Sequence, residues 1–242
     1  MHSEIKLLVL AGGFGTRLSS VLNDVPKALA TVGVVPFLYL QIVHWKNQGI
    51  KNFVFLLHHR ADLIIHFLLQ ECKTGILNDC VVDWVVEPAP MGTGGAVAYA
   101  VNKLQIMGNF LVTNADTWLG TGIAQVSQAN SPVLAVVQLT DVDRYGLVRF
   151  DTQFSVTSFE EKSQGNRLGW INAGLCQLNA KSFQDWDNRP FSLEQKTLPD
   201  LVHDGHLKAV LLETEFIDIG VPDDYFRFCR WIAADRKDGL CS

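Results

Sequence analysis

Residues 5–11 are apolar apart from Lys6 and run directly into three glycines within four positions, Gly12, Gly13 and Gly15. Such a run suits a strand buried on both faces of a parallel sheet, and ligands of these sheets gather at the carboxyl ends of the strands. Glycines at that point let the backbone take positive φ and bring its N–H groups against an anion with no Cβ in the way. Arg17 follows two residues after the last glycine, and Lys27, preceded by Pro26, lies ten residues beyond it. These two cations can give charge-assisted hydrogen bonds to a polyphosphate. The opening stretch therefore reads as a triphosphate cradle.

Two common cradles do not fit. A P-loop requires Lys directly after its glycines, and a dinucleotide fingerprint requires Gly where Leu18 stands. Glycines alone are explained equally well by a turn that lets the first strand leave the sheet; the added Arg17 and Lys27 weigh against that. Leu10-Ala11-Gly12-Gly13-Phe14-Gly15-Thr16-Arg17-Leu18 followed by Pro26-Lys27 resembles the signature of the sugar-1-phosphate nucleotidyltransferases, also called nucleotide-sugar pyrophosphorylases. That resemblance implies a nucleotide held by Leu10, Ala11, Gly12, Gly13, Gly15 and Thr16. It also implies that Arg17 and Lys27 act on the phosphates.

Periodicity downstream predicts a helix over 37–48 ending at Gly49, strands over 53–57 and 81–86 with a helix over 61–71 between them, a helix over 96–104 and a strand over 110–113. Strand alternating with helix predicts an α/β, Rossmann-like, mainly parallel central sheet with helices on both faces. Past Pro132 the pattern turns to strands over 133–139, 145–150 and 154–159, with a turn at 151–153, a hairpin-rich half suited to the second substrate. At 242 residues and 48% apolar content, one catalytic domain is expected. Its nucleotide half would end near residue ~130, and its sugar-phosphate half would follow.

Four further segments carry candidate site residues. Glu87-Pro88-Ala89-Pro90-Met91-Gly92-Thr93-Gly94-Gly95-Ala96 precedes the 96–104 helix, whose N-terminus favours negative charge. The resemblance makes Glu87, Gly92, Thr93 and Gly94 the base pocket. A carboxylate there accepts from the adjacent N1–H and N2–H of guanine, whereas uracil or thymine offers one N–H, so guanine is favoured. Asn114-Ala115-Asp116-Thr117 closes the fourth strand. An aspartate at that depth needs a cation or donors, for which Mg²⁺ is a natural choice beside phosphates. Capping the next helix explains Asp116 equally well.

Gly146 could let a sugar ring approach the backbone or mark a bulge. The resemblance assigns Glu161 to ring hydroxyls and Lys162 to the sugar phosphate, and makes Asn114 and Asn172 sugar contacts. Ser192-Leu193-Glu194 reads as a helix start whose Glu194 reaches the sugar or serves the helix dipole. Phe216-Ile217-Asp218-Ile219-Gly220-Val221-Pro222 is similar to the family's second acidic motif, with Val221 where Thr is usual, so that Asp116 and Asp218 together would hold Mg²⁺. Trp170 reads as a core residue rather than a stacking platform. The pair His58-His59 reads as a solvated loop feature.

A net charge of −5 argues against a nucleic-acid surface. Five cysteines, odd in number and without a C-x-x-C pair, argue against a disulfide framework or zinc site and for a reducing, cytoplasmic setting. No apolar stretch approaches the ~20 residues that span a bilayer. No hexapeptide repeat follows, so an appended acetyltransferase helix is not expected. The partners expected are a nucleoside triphosphate and a sugar 1-phosphate; a homo-oligomer stays open. Within the family the short form is most similar to the D-glycero-α-D-manno-heptose 1-phosphate guanylyltransferases. Mannose-1-phosphate guanylyltransferases and uridylyltransferases are the alternatives of the same class, and a catalytically silent nucleotide-sugar-binding regulator is the alternative of another.

Overall fold

A computed structural model describes residues 5–18, 25–160 and 168–235. The first strand, β1 (Lys6–Leu10), lies at the centre of the sheet because its apolar residues serve both faces. Leu7 and Val9 enter one core and Leu8 the other, the period-two pattern of a strand with no solvated side. A two-strand loop, β2 (Thr31–Val32) and β3 (Val35–Pro36), leads into α1 (Phe37–Asn47). Then come β4 (Asn52–Leu57), α2 (Ala61–Thr74), β5 (Val81–Val86), α3 (Gly92–Lys103) and β6 (Asn109–Asn114). The parallel set β6-β1-β4-β5 is the expected α/β core.

The rest of the chain comprises β7 (Thr117–Leu119), α4 (Ile123–Gln128), β8 (Val133–Leu139), β9 (Leu147–Phe150), β10 (Val156–Glu160), β11 (Gly169–Asn179), α5 (Leu198–His203), β12 (Lys208–Leu212), β13 (Phe216–Asp218) and α6 (Pro222–Asp235). The long strand β11 runs antiparallel to both β6 and β8, while β12 runs parallel to β8. Residues on both sides of position 130 thus share one nine-stranded mixed sheet. Strands β9 and β10 form the expected hairpin, with Asp151 Oδ1 accepting from Gln153 N at 2.8 Å and Ser155 N at 2.9 Å in its turn.

Helices cover both faces. Leu38, Ile42 and Trp45 of α1 and Ile64 and Leu68 of α2 pack with Phe53, Phe55 and Leu57 on one side. Ala96, Val97 and Val101 of α3 and Leu198 of α5 pack with Val54, Leu56 and Phe110 on the other. Trp170 sits edge-on to Phe150 with ring centroids 5.8 Å apart, in contact with this second core.

A third cluster decides where the site lies. Ribbon β7–β13 pairs antiparallel outside the main sheet, and Trp118, Ile217, Ile219 and Tyr225 pack there with Phe228 of α6, Phe37 of α1 and Leu18 of the opening loop. Buried Asp224 in the first turn of α6 is ion-paired by Arg144 and, at 3.1 Å, by Arg227. The helix expected over 96–104 begins four residues earlier, at Gly92. Asp116 does not cap a helix, because β7 follows it directly and α4 starts only at Ile123.

Candidate active site

The carboxyl ends of four parallel strands meet at one edge, locked by backbone hydrogen bonds just past each strand. Ala11 N donates to Leu56 O at 2.9 Å, Glu87 N to Leu57 O at 2.8 Å and Ala115 N to Leu10 O at 3.0 Å. This brings the glycine turn, Glu87, Asn114 and Asp116 to one cleft of about 370 Å³, which Met91, Thr93 and Glu194 also line. A recess of about 40 Å³ lies beside it between Gly13, Lys27 and Asp116. The larger cleft, about 510 Å³ around Lys181, Trp186 and Asp200, holds none of the motif residues.

The three opening glycines serve three different needs. Gly15 alone takes positive φ, 63°. At Gly12 a Cβ would stand 3.0 Å from Glu87 Oε1 and 3.1 Å from His58 Cβ, so a side chain there would crowd the residues that follow β4 and β5. Gly13 has no atom within 4 Å of its Cβ position and leaves its space to the cleft. The positive φ that glycine permits is thus used at Gly15. Thr16, Arg17 and Leu18 continue as one 3-10 turn, with Arg17 exposed.

Asp116 and Asp218, about a hundred residues apart in sequence, are brought together by the ribbon. Asp218 pairs in register with Thr117, and Ile219 N donates to Asp116 O at 2.9 Å. Burial first, then the negative charge of Asp116, hold the Asp218 carboxyl above its ordinary range, while Gly220 N–H, Lys27 and Arg17 pull it down. Gly220 N donates to Asp218 Oδ1 at 2.7 Å. Lys27 Nζ lies 2.6 Å from Asp116 Oδ2. Two carboxylates of raised mutual cost, with a single ammonium on one of them, form a donor set that suits a hard divalent cation completed by phosphate oxygens. Among the described residues no cluster of three or more His, Cys, Asp or Glu forms an all-protein metal cage. Ala115 buries its methyl in the first core at 2% exposure.

Glu87 is buried, and its Oε2 accepts from Met91 N at 2.8 Å, so only part of the carboxylate remains for a base. Burial raises its pKa. The Gly92-Thr93-Gly94-Gly95 segment differs more from expectation. Gly94 N and Gly95 N, which a helix start would offer to an anion, donate to Phe191 O at 3.0 and 3.1 Å. A Cβ on Gly94 would stand 2.1 Å from Phe191 Cε2, and one on Gly92, whose φ is 71°, 2.5 Å from Phe191 O. These glycines let the 189–193 segment press against the first turn of α3, and that remote cap is why the helix begins at Gly92. Gly94→Ala is therefore expected to overpack this contact by about 1–3 kcal/mol. A thermal melt checks it: the midpoint should fall, and Phe191→Leu in the same chain should recover part of the loss.

Thr93 and Glu194 meet across this contact. Thr93 Oγ1 donates to Glu194 Oε2 at 2.7 Å and accepts from Leu193 N at 2.9 Å. Ser192 caps the turn as expected, its Oγ accepting from Glu194 N at 3.1 Å and Gln195 N at 3.2 Å, but the turn is π-helical over Leu193–Thr197 before α5 begins.

On the acceptor side, Asn172 Oδ1 accepts from Gly174 N at 2.8 Å and so orders the register shift in β11. Gly174, at φ 73°, leaves room for Asn114 Nδ2, which would be 2.9 Å from a Cβ there. Gly146 is required by its hairpin partner, since its Cβ would stand 2.9 Å from Glu160 O. That close backbone approach accounts for Gly146 without a sugar, and the irregularity of the hairpin lies elsewhere, between Val156 and Ser158. Glu161 and Lys162 lie outside the described residues.

Sequence reasoning passed over two lining residues. Phe14 is 54% exposed at the cleft, with its ring 5.7 Å from that of His58 and 5.1 Å from that of His59. His58, read as a solvated loop residue, lines the cleft with Nδ1 3.2 Å from Glu87 O. An exposed aromatic inside a glycine turn was the available signal for Phe14; nothing local marked His58.

The profile described as nucleotidyl transferase matches residues 6–234. D-glycero-α-D-manno-heptose 1-phosphate guanylyltransferase of Campylobacter jejuni is 33% identical over 230 residues, which cover 93% of this chain and 98% of that protein. The crystal structure of HddC from Yersinia pseudotuberculosis complexed with GMP-PN superposes with a TM-score of 0.81 at 33% identity, covering 94% of this chain and 99% of that one. Mannose-1-phosphate guanyltransferase of Saccharomyces cerevisiae is 29% identical over 91% of this chain, which spans 63% of the yeast protein's length.

Proposed function

The chain belongs to the nucleotidyl transferase family, and from that membership we propose that it condenses GTP with D-glycero-α-D-manno-heptose 1-phosphate to give GDP-heptose and pyrophosphate. It is a sugar-1-phosphate nucleotidyltransferase; the choice of GTP and of the heptose is the proposal, and it draws on the relatives named for those substrates. The observation that carries the chemistry is the Asp116–Asp218 pair, Asp218 on β13 and Asp116 in the turn just before its partner strand β7, with Lys27 on Asp116 at the mouth of the glycine-turn cleft.

A phosphate oxygen of the sugar 1-phosphate attacks the α-phosphorus in line. The new O–P bond forms as the α–β anhydride bond breaks, and pyrophosphate leaves. Little covalent work falls to the protein, so positioning and charge neutralisation dominate. The turn at Gly12, Gly13 and Gly15 holds the triphosphate by backbone N–H groups, and Arg17 takes its outer phosphates. Lys27 serves the phosphates near the reacting centre, exchanging Asp116 for them as substrate enters. Asp116 and Asp218 would hold Mg²⁺, which when bound neutralises phosphate oxygens. Glu161 and Lys162, directly after Glu160 at the end of β10, carry the family's sugar and sugar-phosphate roles. Guanine recognition falls to the part of Glu87 that Met91 N does not occupy.

The four described cysteines are free, which supports a reducing, cytoplasmic setting. No described helix is long and apolar enough to cross a membrane.

Pyrophosphate release across GTP, UTP, dTTP and ATP, each with heptose, mannose and glucose 1-phosphates, tests the reading. The expected result is the highest kcat/KM for GTP with the heptose phosphate. A mannose optimum would move the assignment to the activity named for the yeast relative. Silence across the panel with tight GDP-heptose binding would make the chain a regulator.

A further inference from the structure

The ribbon that carries the two aspartates is narrow, and its outer edge is filled in an unusual way. Ile219 N bonds Asp116 O at 2.9 Å and Gly120 N bonds Glu215 O at 2.9 Å, so the even-numbered residues of β7 face β13. In an antiparallel pair the alternate residues, here Thr117 and Leu119, turn their backbone groups to the opposite edge. No third described strand covers that edge. Side chains of α1 do so instead. Gln41 Nε2 donates to Thr117 O at 2.7 Å, and His44 Nε2 lies 2.9 Å from Leu119 O. Gln48 Oε1 accepts from Ile123 N at 3.2 Å, just past the strand. The Leu119 carbonyl can only accept, and Gln48 Nε2 lies 2.8 Å from the same ring nitrogen, so the imidazole tautomer decides whether Nε2 donates to Leu119 O or accepts from the Gln48 amide.

Positions 41, 44 and 48 lie on one face of a helix, and the spacing of 41 and 44 matches the two outward carbonyls of the strand, Thr117 O and Leu119 O. The contact is buried at Gln41 and part-buried at His44. Gln41 is 1% exposed, and the His44 ring stacks on Trp118 at 4.3 Å. Gln41 Oε1 has no hydrogen-bond partner among the described residues, a cost that an apolar side chain would avoid. The amide is therefore useful at this position for its one bond to Thr117, the residue next to Asp116.

We propose that Gln41 and His44 are positioning residues that stand in for a missing strand and fix the β7–β13 ribbon, and with it the spacing of Asp116 and Asp218. The inference rests on the nucleotidyltransferase reading for its catalytic consequence but not for its structural one.

Two readouts test it. In Gln41→Met, amide hydrogen exchange across residues 116–120 should quicken by about tenfold or more. In the same variant kcat should fall about tenfold and the Mg²⁺ concentration for half-maximal rate should rise, with KM for GTP within about twofold. His44→Leu should behave likewise, while His44→Gln, which keeps an N–H donor, should stay near wild type in both. Unchanged exchange in folded Gln41→Met and His44→Leu overturns the proposal. So does faster exchange with an unchanged Mg²⁺ requirement, because the contact is then only structural. If Gln41→Met does not fold, the two His44 variants decide on the same terms. A wild-type chain silent with every substrate pair sinks the functional reading instead, and the exchange comparison still judges the strand-edge contact.

Discussion

Asp218→Asn is expected to lower kcat by about 10²–10³-fold while leaving the metal-free protein as stable as wild type or more so. The two effects share one cause. Burial and the neighbouring charge of Asp116 hold the Asp218 carboxyl above its ordinary pKa. The folded state therefore binds the proton more tightly than the unfolded state does. That stabilising contribution is complete below the unfolded pKa and is lost as pH rises through the folded one, so at neutral pH the ionised carboxylate burdens the fold. Asparagine keeps an oxygen for Gly220 N, which bonds Asp218 Oδ1 at 2.7 Å, and removes the charge. Thermal melts without divalent ion, set beside pyrophosphate-release rates, check both halves. Mg²⁺ should raise the midpoint of wild type more than that of the variant. Full activity would refute the carboxylate pair, and a clear loss of metal-free stability would refute the charge argument.

Lys27→Met is expected to lose about 10²-fold or more in kcat/KM, and Lys27→Arg should not restore it. Lys27 stands on a 3-10 turn, Lys27–Leu29, with its side chain 15% exposed and Nζ 2.6 Å from Asp116 Oδ2. It is ion-paired with Asp116, and its charge lowers the pKa of Asp218. Without it only Gly220 N–H and Arg17 offset the repulsion at Asp218, and the phosphates near the reacting centre lose a point-charge donor. Arginine brings a planar fork on a longer stem, a poor fit where the ammonium sits beside Gly13 in a recess of about 40 Å³. Because Asp116 is 33% exposed, water screens its unpaired charge and the stability change should be small. Steady-state kinetics separate the outcomes: an unchanged kcat would leave the ion pair a structural contact.

The main strands and the site-bearing motifs were legible because their causes are local. The apolar run before Gly12 could be satisfied only by burial on both faces, and β5 and β8 follow the expected 81–86 and 133–139. Ser192 declared itself as a cap through its own hydroxyl. What escaped was set by partners far along the chain. The start of α3 depends on the carbonyl of Phe191, about a hundred residues away. The polar residues of α1 look like surface positions until β7 is laid against them, and the mixed character of the sheet follows from β11 entering between β6 and β8.

By itself the sequence determined the chemistry on offer: a glycine turn, two cations and two acids in a recognisable order, on a chain able to bury a parallel sheet. Only the tertiary structure decided which of these meet, that Asp116 and Asp218 adjoin across a two-strand ribbon, that Gly92 and Gly94 serve Phe191, and that Gln41 and His44 hold the ribbon's free edge. The reason is physical. Side-chain type and local period are written in neighbouring residues, whereas the pairing of backbone groups far apart in the chain is fixed only when the whole core closes around them.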